Sequence, residues 1–599
     1  MAATQAPLAR PFRGPETKGY FYKYGWNWDK RYAQPANALY LELLAFRILP
    51  GIERVEPFKN VCRMLWPNTA DSPKKFYFNE WNEKMLREAC KWNYLSVIGS
   101  GSSGKSAFFA VWAIVNYLCA PELTKVLLTS TTLNDARGRI WGDVVGYWLA
   151  RPGLPGKLLN SQGTIRFQNG DKFSDKSGIT LIAGAPTKAQ ESVAKMIGFK
   201  NQRLILIADE LPELSEAIVE AALTNLTLNP YFQLVGIGNP KNRFDPMSRM
   251  TIPKNGNWDS VNVDTGEWET KLGYCLHFDG LKSPNVIAGR NLYPGIITLD
   301  KVQEAIDRVG PNSSGFWRMV RGFYCPIGED NTIYSDIELE QCGAMQTLGE
   351  GFAWLDNDLT PVAALDPSYT NGGDRTMMIW GVVGKNLEGK KTLLITEYSP
   401  LFEDVENKEL NRTQQIISQF KDRCHKLGVQ PKHMAFDATG AGKPFGDVVD
   451  LMISKEVLKV DFGGRPSDKA VSAYDPTPAS ERYVNRVSEL WYSGCEYFRT
   501  GQIKGLTREI ANEMCQRRKS EEKGTGLILK IRVESKREMK ARSIPSPDLS
   551  DALFILLEVC RERLGFDSGS VQREKNPQNN SKGGFKKLFK KYADVYKAA

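Results

Sequence analysis

The chain has 599 residues, 42% hydrophobic and 25% charged, and 79 Lys and Arg against 69 Asp and Glu give it a formal net charge of +10. That length predicts two to four domains with ample core, and the basic excess leans toward a polyanionic partner. Ten scattered cysteines without a Cys-x-x-Cys pair, and only His277, His425 and His433, exclude a structural-zinc scaffold and a disulfide framework and point to a reducing compartment.

Residues 1 to 70 carry no motif, but "NALYLELLAFRIL" at 37–49 predicts an amphipathic helix that packs on the domain after it. The N-terminal residues have no apolar signal core. The longest apolar run, 107–120, includes Asn116 and is shorter than the about 20 residues a bilayer span needs. A soluble, intracellular protein with no membrane role is the expectation.

At 76–86, "FYFNEWNEKML" places aromatics and Asn82 where an adenine could pack. The apolar "YLSVIGS" then predicts a buried strand running into "GSGSSGKS" at 99–106, and "AFFAVWAIVNYLCA" predicts the following helix. Gly99, Ser100, Gly101, Ser102, Ser103 and Gly104 leave backbone N–H groups bare for phosphate oxygens at a helix N-terminus. Lys105 reaches the β/γ-phosphates, and the Ser106 hydroxyl suits Mg²⁺. "KVLLTSTTLNDARGRIW" at 125–141 reads as strand, turn and helix.

"RLILIADELPEL" at 203–214 is a second buried strand, ending in Asp209 and Glu210. Asp209 suits Mg²⁺ beside Ser106, and Glu210 suits the base that orients and deprotonates an attacking water. "FQLVGIGNP" at 232–240 is a third strand, ending where Asn239 could sense the γ-phosphate. Alternating strands and helices of this kind predict an α/β P-loop ATPase domain with a mostly parallel sheet over 71–325.

Residues 326–355 lose periodicity and read as a connection. After them "PVAALDPSY" predicts a strand ending in Asp366, followed by "GGD"; "TMMIWGVVG" and "KTLLITEYSP" read as antiparallel strands, and "HMAFDATGAG" as a strand ending in Asp437. "SIPSPDLSDALFILLEVC" predicts a helix with Ser546 as N-cap and Pro547 first in the helix. Its Asp548 and Asp551, three apart, share a face. Carboxylates at two strand ends and one helix start suit two-metal phosphodiester cleavage. "DATGAGKPFGD" is not a second phosphate loop, because Asp437 stands where the first Gly belongs and Pro444 where the Ser/Thr belongs. Lys443 and the basic "ESKREMKAR" at 534–542 are candidates for DNA phosphate. Residues 566–599 form a polar, basic tail whose "FKKLFKKYADVYKAA" could fold as an amphipathic helix on binding.

The order "GSGSSGKS", "TTLNDARGRIWGDV", "GFKNQRLILIADELPEL" and "LVGIGNP" resembles the large terminase subunit of tailed bacteriophages, the ATPase that pumps DNA into an empty procapsid. The resemblance spans roughly 75–565 and implies an RNase H-like, mixed-sheet nuclease domain over 356–565. Asp366, Asp437 and Asp548 carry over as metal ligands, with Asp551 the runner-up for the third. Asn239 carries over to the coupling motif, and Arg137 or Arg139 are candidates for an arginine finger. Positions 100–103 lack the loop arginine of some family members. ATP and Mg²⁺, with Mn²⁺ an alternative at the nuclease site, are the implied cofactors. Double-stranded DNA, the portal protein, the small terminase subunit and further copies in a ring are the implied partners. The implied location is the host cytoplasm, transiently on the procapsid and not in the mature virion. The rival readings are a repair-type helicase–nuclease, which needs a second motor domain, and a docking subunit with an inactive nuclease, which would lack an acid.

Overall fold

The structure, a computed structural model, describes residues 36–568 apart from 132, 170–171, 185–198, 200, 226, 228, 230, 327, 329–330, 369–374, 405, 408, 440–441, 473–474, 524–528 and 543. "GGD" and the distal tail lie outside the described residues, as does the side chain of Lys443.

Nine strands form the first sheet: β1 (Tyr94–Gly99), β2 (Thr124–Ser130), β3 (Lys157–Leu159), β4 (Thr164–Asn169), β5 (Lys172–Ala183), β6 (Arg203–Ala208), β7 (Tyr231–Gly238), β8 (Glu267–Glu269) and β9 (Tyr274–Phe278). Their order is β3-β4-β5-β2-β6-β7-β1-β9-β8. β5, β2, β6, β7, β1 and β9 run parallel, and antiparallel strands close both edges. The central parallel strands β2, β6, β7 and β1 are buried almost along their whole length, as strands covered on both faces are. On one face lies the helix Lys105–Leu118, whose Trp112 meets Phe46 edge-on at 5.5 Å and Phe58 at 5.5 Å. Phe46 belongs to the helix Ala36–Ile48, so the N-terminal helix packs on this core, but its faces are not cleanly amphipathic: Arg47 is buried while Leu41 and Ile48 are exposed. β7 separates β1 from β6, so the Asn239 end stands between the phosphate loop and the Asp209 end.

The remaining strands are β10 (Thr347–Leu348), β11 (Gly351–Phe352), β12 (Thr360–Asp366), β13 (Met377–Lys385), β14 (Lys391–Pro400), β15 (Met434–Asp437), β16 (Leu458–Val460), β17 (Ala470–Ser472), β18 (Asp475–Pro478), β19 (Ile503–Lys504), β20 (Lys519–Lys523) and β21 (Leu529–Val533). Six of them form a mixed sheet in the order β16-β15-β12-β13-β14-β19. β13 is antiparallel to both neighbours, while β12, β15 and β16 run parallel. This is an RNase H-like strand order. The helix Asp548–Arg563 packs on one face, and the helices Arg412–Lys426 and Gly442–Met452 cover the other.

Two stretches differ from the sequence reading. Within 326–355, Ile333, Tyr334, Leu339 and Ala344 are buried in the second core, so this segment packs as part of it. Its apolar residues follow no single period, which hid that packing. Phe566 is also buried and stacks on Tyr497 at 4.9 Å, so the folded part runs past Gly565. Among the described residues no cysteine forms a disulfide. Among the described residues no helix is long and apolar enough to cross a membrane.

The two sheets meet through the segment after β7. Phe244 inserts into the second core, Asn242 Nδ2 donates to Asn512 Oδ1 at 2.9 Å, and the Arg243 N–H donates to Asp336 Oδ2 at 2.9 Å. Arg508 donates back to the Arg243 carbonyl at 2.8 Å and to the Ser248 hydroxyl.

Candidate functional site

β1 ends at Gly99, and the chain turns through left-handed Ser102 (φ 56°) and Gly104 (φ 77°) into the helix Lys105–Leu118. A π-helical turn, Trp317–Arg321, lies against this loop. The N–H of Ser100 donates to the Phe278 carbonyl (2.9 Å) and that of Gly101 to the Met319 carbonyl (2.8 Å). Those two N–H groups therefore hold the loop in place instead of facing phosphate. An anion is left with the orphan donors at the helix start. Gly322 follows the π-turn at φ 63°, and a Cβ there would stand 2.1 Å from the Gly99 carbonyl carbon. Gly322→Ala should therefore displace the loop, with backbone strain alone costing about 1–2 kcal/mol. Nucleotide affinity and the unfolding midpoint should both fall; an unchanged affinity would show that the π-turn does not shape the loop.

Lys105 Nζ lies within hydrogen-bonding distance of the Gly99 carbonyl (3.2 Å), the Ser100 carbonyl (2.9 Å), Ser103 Oγ (2.7 Å) and Asn239 Oδ1 (3.2 Å). Burial pulls its pKa down to about 8 against the opposing charges of Glu210 and Asp209. The Ser106 hydroxyl donates to Asp209 Oδ1 at 3.0 Å. Burial, then the Glu210 charge, pushes Asp209 up to about 7. Asp209 Oδ2 is buried with no hydrogen-bond partner. An orphaned buried carboxylate oxygen beside a serine hydroxyl fits a hard divalent cation.

Glu210 holds a left-handed backbone (φ 52°) and pairs with Arg139 Nη1 at 2.9 Å. Arg137 instead donates to the Ser161 carbonyl at 2.8 Å, so of the two arginines Arg139 is the one at the acidic strand end. Asn82 is committed to a capping box with Asn79, and Trp81 packs on Phe278 at 5.1 Å. The Asn82 amide thus caps a helix and is not available to a base.

The register of β12 on β15 pairs Leu365 with Phe436, so the next residues, Asp366 and Asp437, end neighbouring strands side by side. Asp548 opens the helix that packs across these strands. Pro547 is its N-cap, one residue later than the sequence suggests, and Ser546 stands outside the helix. Lys536 Nζ is the hub of the acids, 3.3 Å from Asp366 Oδ2, 3.1 Å from Asp548 Oδ1 and 3.1 Å from Asp551 Oδ2. The sequence reading offered the 534–542 stretch to DNA backbone, but this lysine faces carboxylates. Among the described residues no three His, Cys, Asp or Glu side chains close around a metal-sized space. The ammonium stands among them as the cation.

Burial, then the charges of Asp551, Asp548 and Asp437, push Asp366 well above the carboxylate range, with Lys536 opposing. Burial also raises Asp437, whose Oδ1 accepts from the Thr439 N–H (2.9 Å) and hydroxyl. Burial would raise Asp551 too, but Arg517 and Lys536 outweigh it and hold the carboxyl low. Its Oδ1 accepts from Arg517 Nη1 and Trp491 Nε1, both at 2.8 Å. Asp366, Asp548 and Asp551 converge on one half-buried ammonium, and their carboxylate oxygens are the ligand type that hard divalent cations take. Sequence reasoning missed Arg517, Arg375 and Glu513, which lie in no motif, and read Lys536 only as part of a DNA-facing basic stretch.

No family model and no curated protein sequence matches the chain. Solved structures do. The large terminase of a thermophilic bacteriophage is 12% identical with a TM-score of 0.31, over 80% of this chain and 98% of that one. The large terminase ATPase domain of a Thermus phage is 14% identical with a TM-score of 0.31, over 42% and 94%. The nuclease domain of the large terminase subunit of bacterial virus Sf6 is 16% identical with a TM-score of 0.27, over 38% and 98%. All three are large terminases. At these identities and TM-scores the likeness decides nothing about chemistry, which rests on the side chains themselves.

Proposed function

We propose that this chain is the motor and nuclease subunit of a viral DNA-packaging machine, a large terminase. The observation that carries the reading is the pairing of two chemistries in one chain. Ser106 and Asp209 meet beside Lys105 on a parallel sheet, and Asp366, Asp437 and Asp548 gather at the end of an RNase H-like one. A helicase–nuclease would place a second motor domain where this second sheet stands, and a docking subunit with a dead nuclease would lack one of the acids.

In this reading 71–325 is the ATPase domain and 356–565 the nuclease domain. Backbone N–H groups at the start of the helix Lys105–Leu118 and the Lys105 ammonium bind the β/γ-phosphates. Ser106 and Asp209 would hold Mg²⁺, which supplies charge neutralisation on the phosphate oxygens. Glu210 orients the attacking water and takes its proton, and the Arg139 pairing fixes that carboxylate or releases Arg139 to act as the finger. Asn239, bonded to Lys105, stands where loss of the γ-phosphate can reach the segment carrying Phe244.

At the second site Asp366, Asp437 and Asp548 would hold divalent cations, Mg²⁺ or Mn²⁺, which supply water activation and stabilisation of the leaving oxygen. Lys536 balances the acids until the cations arrive. The substrate is concatemeric double-stranded DNA. The partners are a portal ring, a small subunit that selects the start, and further copies of this chain in the host cytoplasm.

The test is supercoiled-plasmid cleavage and ATP turnover by the full chain. Cleavage should need Mg²⁺ or Mn²⁺ and stop on chelation, and double-stranded DNA should stimulate ATP turnover. Metal-independent cleavage, or ATP turnover indifferent to DNA, would sink the reading.

A further inference from the structure

The helix that presents Asp548 begins without a local cap. Pro547 offers no side-chain hydrogen bond, so the N–H groups of Leu549 and Ser550 are orphans of the kind every helix start leaves. They are accepted from a distance. Glu513, on the helix Arg508–Met514, receives both on Oε2, at 3.0 Å from Leu549 and 2.9 Å from Ser550. Its other oxygen, Oε1, accepts from Arg375 Nη2 at 2.7 Å. Arg375 Nη1 reaches Glu509 Oε1 at 2.8 Å, so one planar fork spans two carboxylates four residues apart on a single helix face. Tyr398 Oη donates to the far oxygen of Glu509 at 2.7 Å and fixes that end.

The backbone of Arg375 completes a ring. Its N–H donates to Asp548 Oδ2 at 2.8 Å. The path runs from Asp548 to the Arg375 main chain, through its guanidinium to Glu513, and back to the two residues after Asp548. A carboxylate whose own helix turn is tied at both points cannot rotate freely. With Oδ2 held by Arg375, Oδ1 is the oxygen left facing Lys536 and, through it, Asp366.

We propose that Glu513 and Arg375 are positioning residues of the nuclease centre, fixing Asp548 so that Oδ1 faces the acids at the strand ends. This rests on the metal-dependent nuclease reading. Partners of a metal ligand that set its orientation typically govern metal affinity by about 10- to 100-fold. A group that only stiffened the fold would change unfolding and leave the metal affinity of the folded protein alone.

The experiment measures Mn²⁺ binding to the full chain by calorimetry, with Asp366→Ala as the reference that removes this site. Folded Glu513→Ala should bind Mn²⁺ about 10- to 100-fold more weakly than wild type. Glu513→Gln, which keeps an oxygen for the two N–H groups but loses the ion pair, should fall between. The Mn²⁺ concentration for half-maximal plasmid cleavage should rise by the same factor. In metal-free protein, amide exchange at Leu549 and Ser550 should quicken in Glu513→Ala. Arg375→Lys, which cannot span both carboxylates, serves if Glu513→Ala does not fold, and should weaken Mn²⁺ binding likewise. Unchanged Mn²⁺ affinity in folded Glu513→Gln and Arg375→Lys would overturn the positioning role while leaving the metal site standing. Identical Mn²⁺ binding by wild type and Asp366→Ala would overturn the metal site, and this inference with it.

Discussion

Lys105→Ala should abolish ATP turnover together with most nucleotide binding, whereas Glu210→Ala should abolish turnover and keep most of the binding. The two residues stand on one site but touch different parts of the reaction. The Lys105 ammonium is buried among the carbonyls of Gly99 and Ser100, Ser103 Oγ and Asn239 Oδ1. Deleting it leaves four oxygens without their donor and an incoming triphosphate without its nearest positive charge. Glu210 instead pairs with Arg139 and is partly open to solvent. Its removal takes away the group that aligns and deprotonates water, a role worth about 10²–10⁴-fold. Fluorescent-nucleotide titration beside a phosphate-release assay separates the cases. Equal loss of binding in both variants would mean that Glu210 holds nucleotide and that the base lies elsewhere.

The phosphate loop was legible because its chemistry is local: eight consecutive residues set the turn, the ammonium and the hydroxyl. Asp209 and Asn239 were legible for a related reason, since an apolar run ending in a polar residue marks the end of a buried parallel strand where a ligand can sit. Asp366 and Asp437 announced themselves in the same way, and β12 and β15 place them together. What stayed hidden is what holds these groups. Lys536 looked like any member of a basic stretch until folding brought it to three carboxylates, one from a strand end and two from the first turn of a helix. Glu513 caps a helix that begins 35 residues later in the chain, and no spacing rule connects an acid to a cap supplied by another helix. Pro547 misled for that reason: the sequence seeks a cap beside the helix, and this helix takes its cap across space. The packing of 333–344 was hidden because a segment spread over one flank of a core shows neither helical nor strand period.

Asp548→Asn should lose DNA cleavage by a hundredfold or more, on the order of 3 kcal/mol, with little change in stability. Asp551→Asn should lose more stability than cleavage. Asp548 sits at the helix start with Oδ2 on the Arg375 N–H and Oδ1 toward Lys536 and Asp366. An asparagine there can keep the Arg375 bond through its amide oxygen, so the fold is retained while the charge facing the strand ends is gone. Asp551 lies one turn deeper. Its Oδ1 is engaged by Arg517 and Trp491, and the Asp551 and Arg517 side chains are only 1% and 3% exposed. Removing one member of a buried ion pair leaves the other uncompensated, at about 3–5 kcal/mol. Only Oδ2 of Asp551 turns toward Lys536, which leaves Asp548 as the acid whose chief work lies at the site. Thermal unfolding and Mn²⁺-dependent plasmid cleavage, read on both variants below their unfolding midpoints and against an inactive Asp366→Ala control, decide the matter. A folded Asp551→Asn that cleaves less than Asp548→Asn would make Asp551 the third ligand and Asp548 its support.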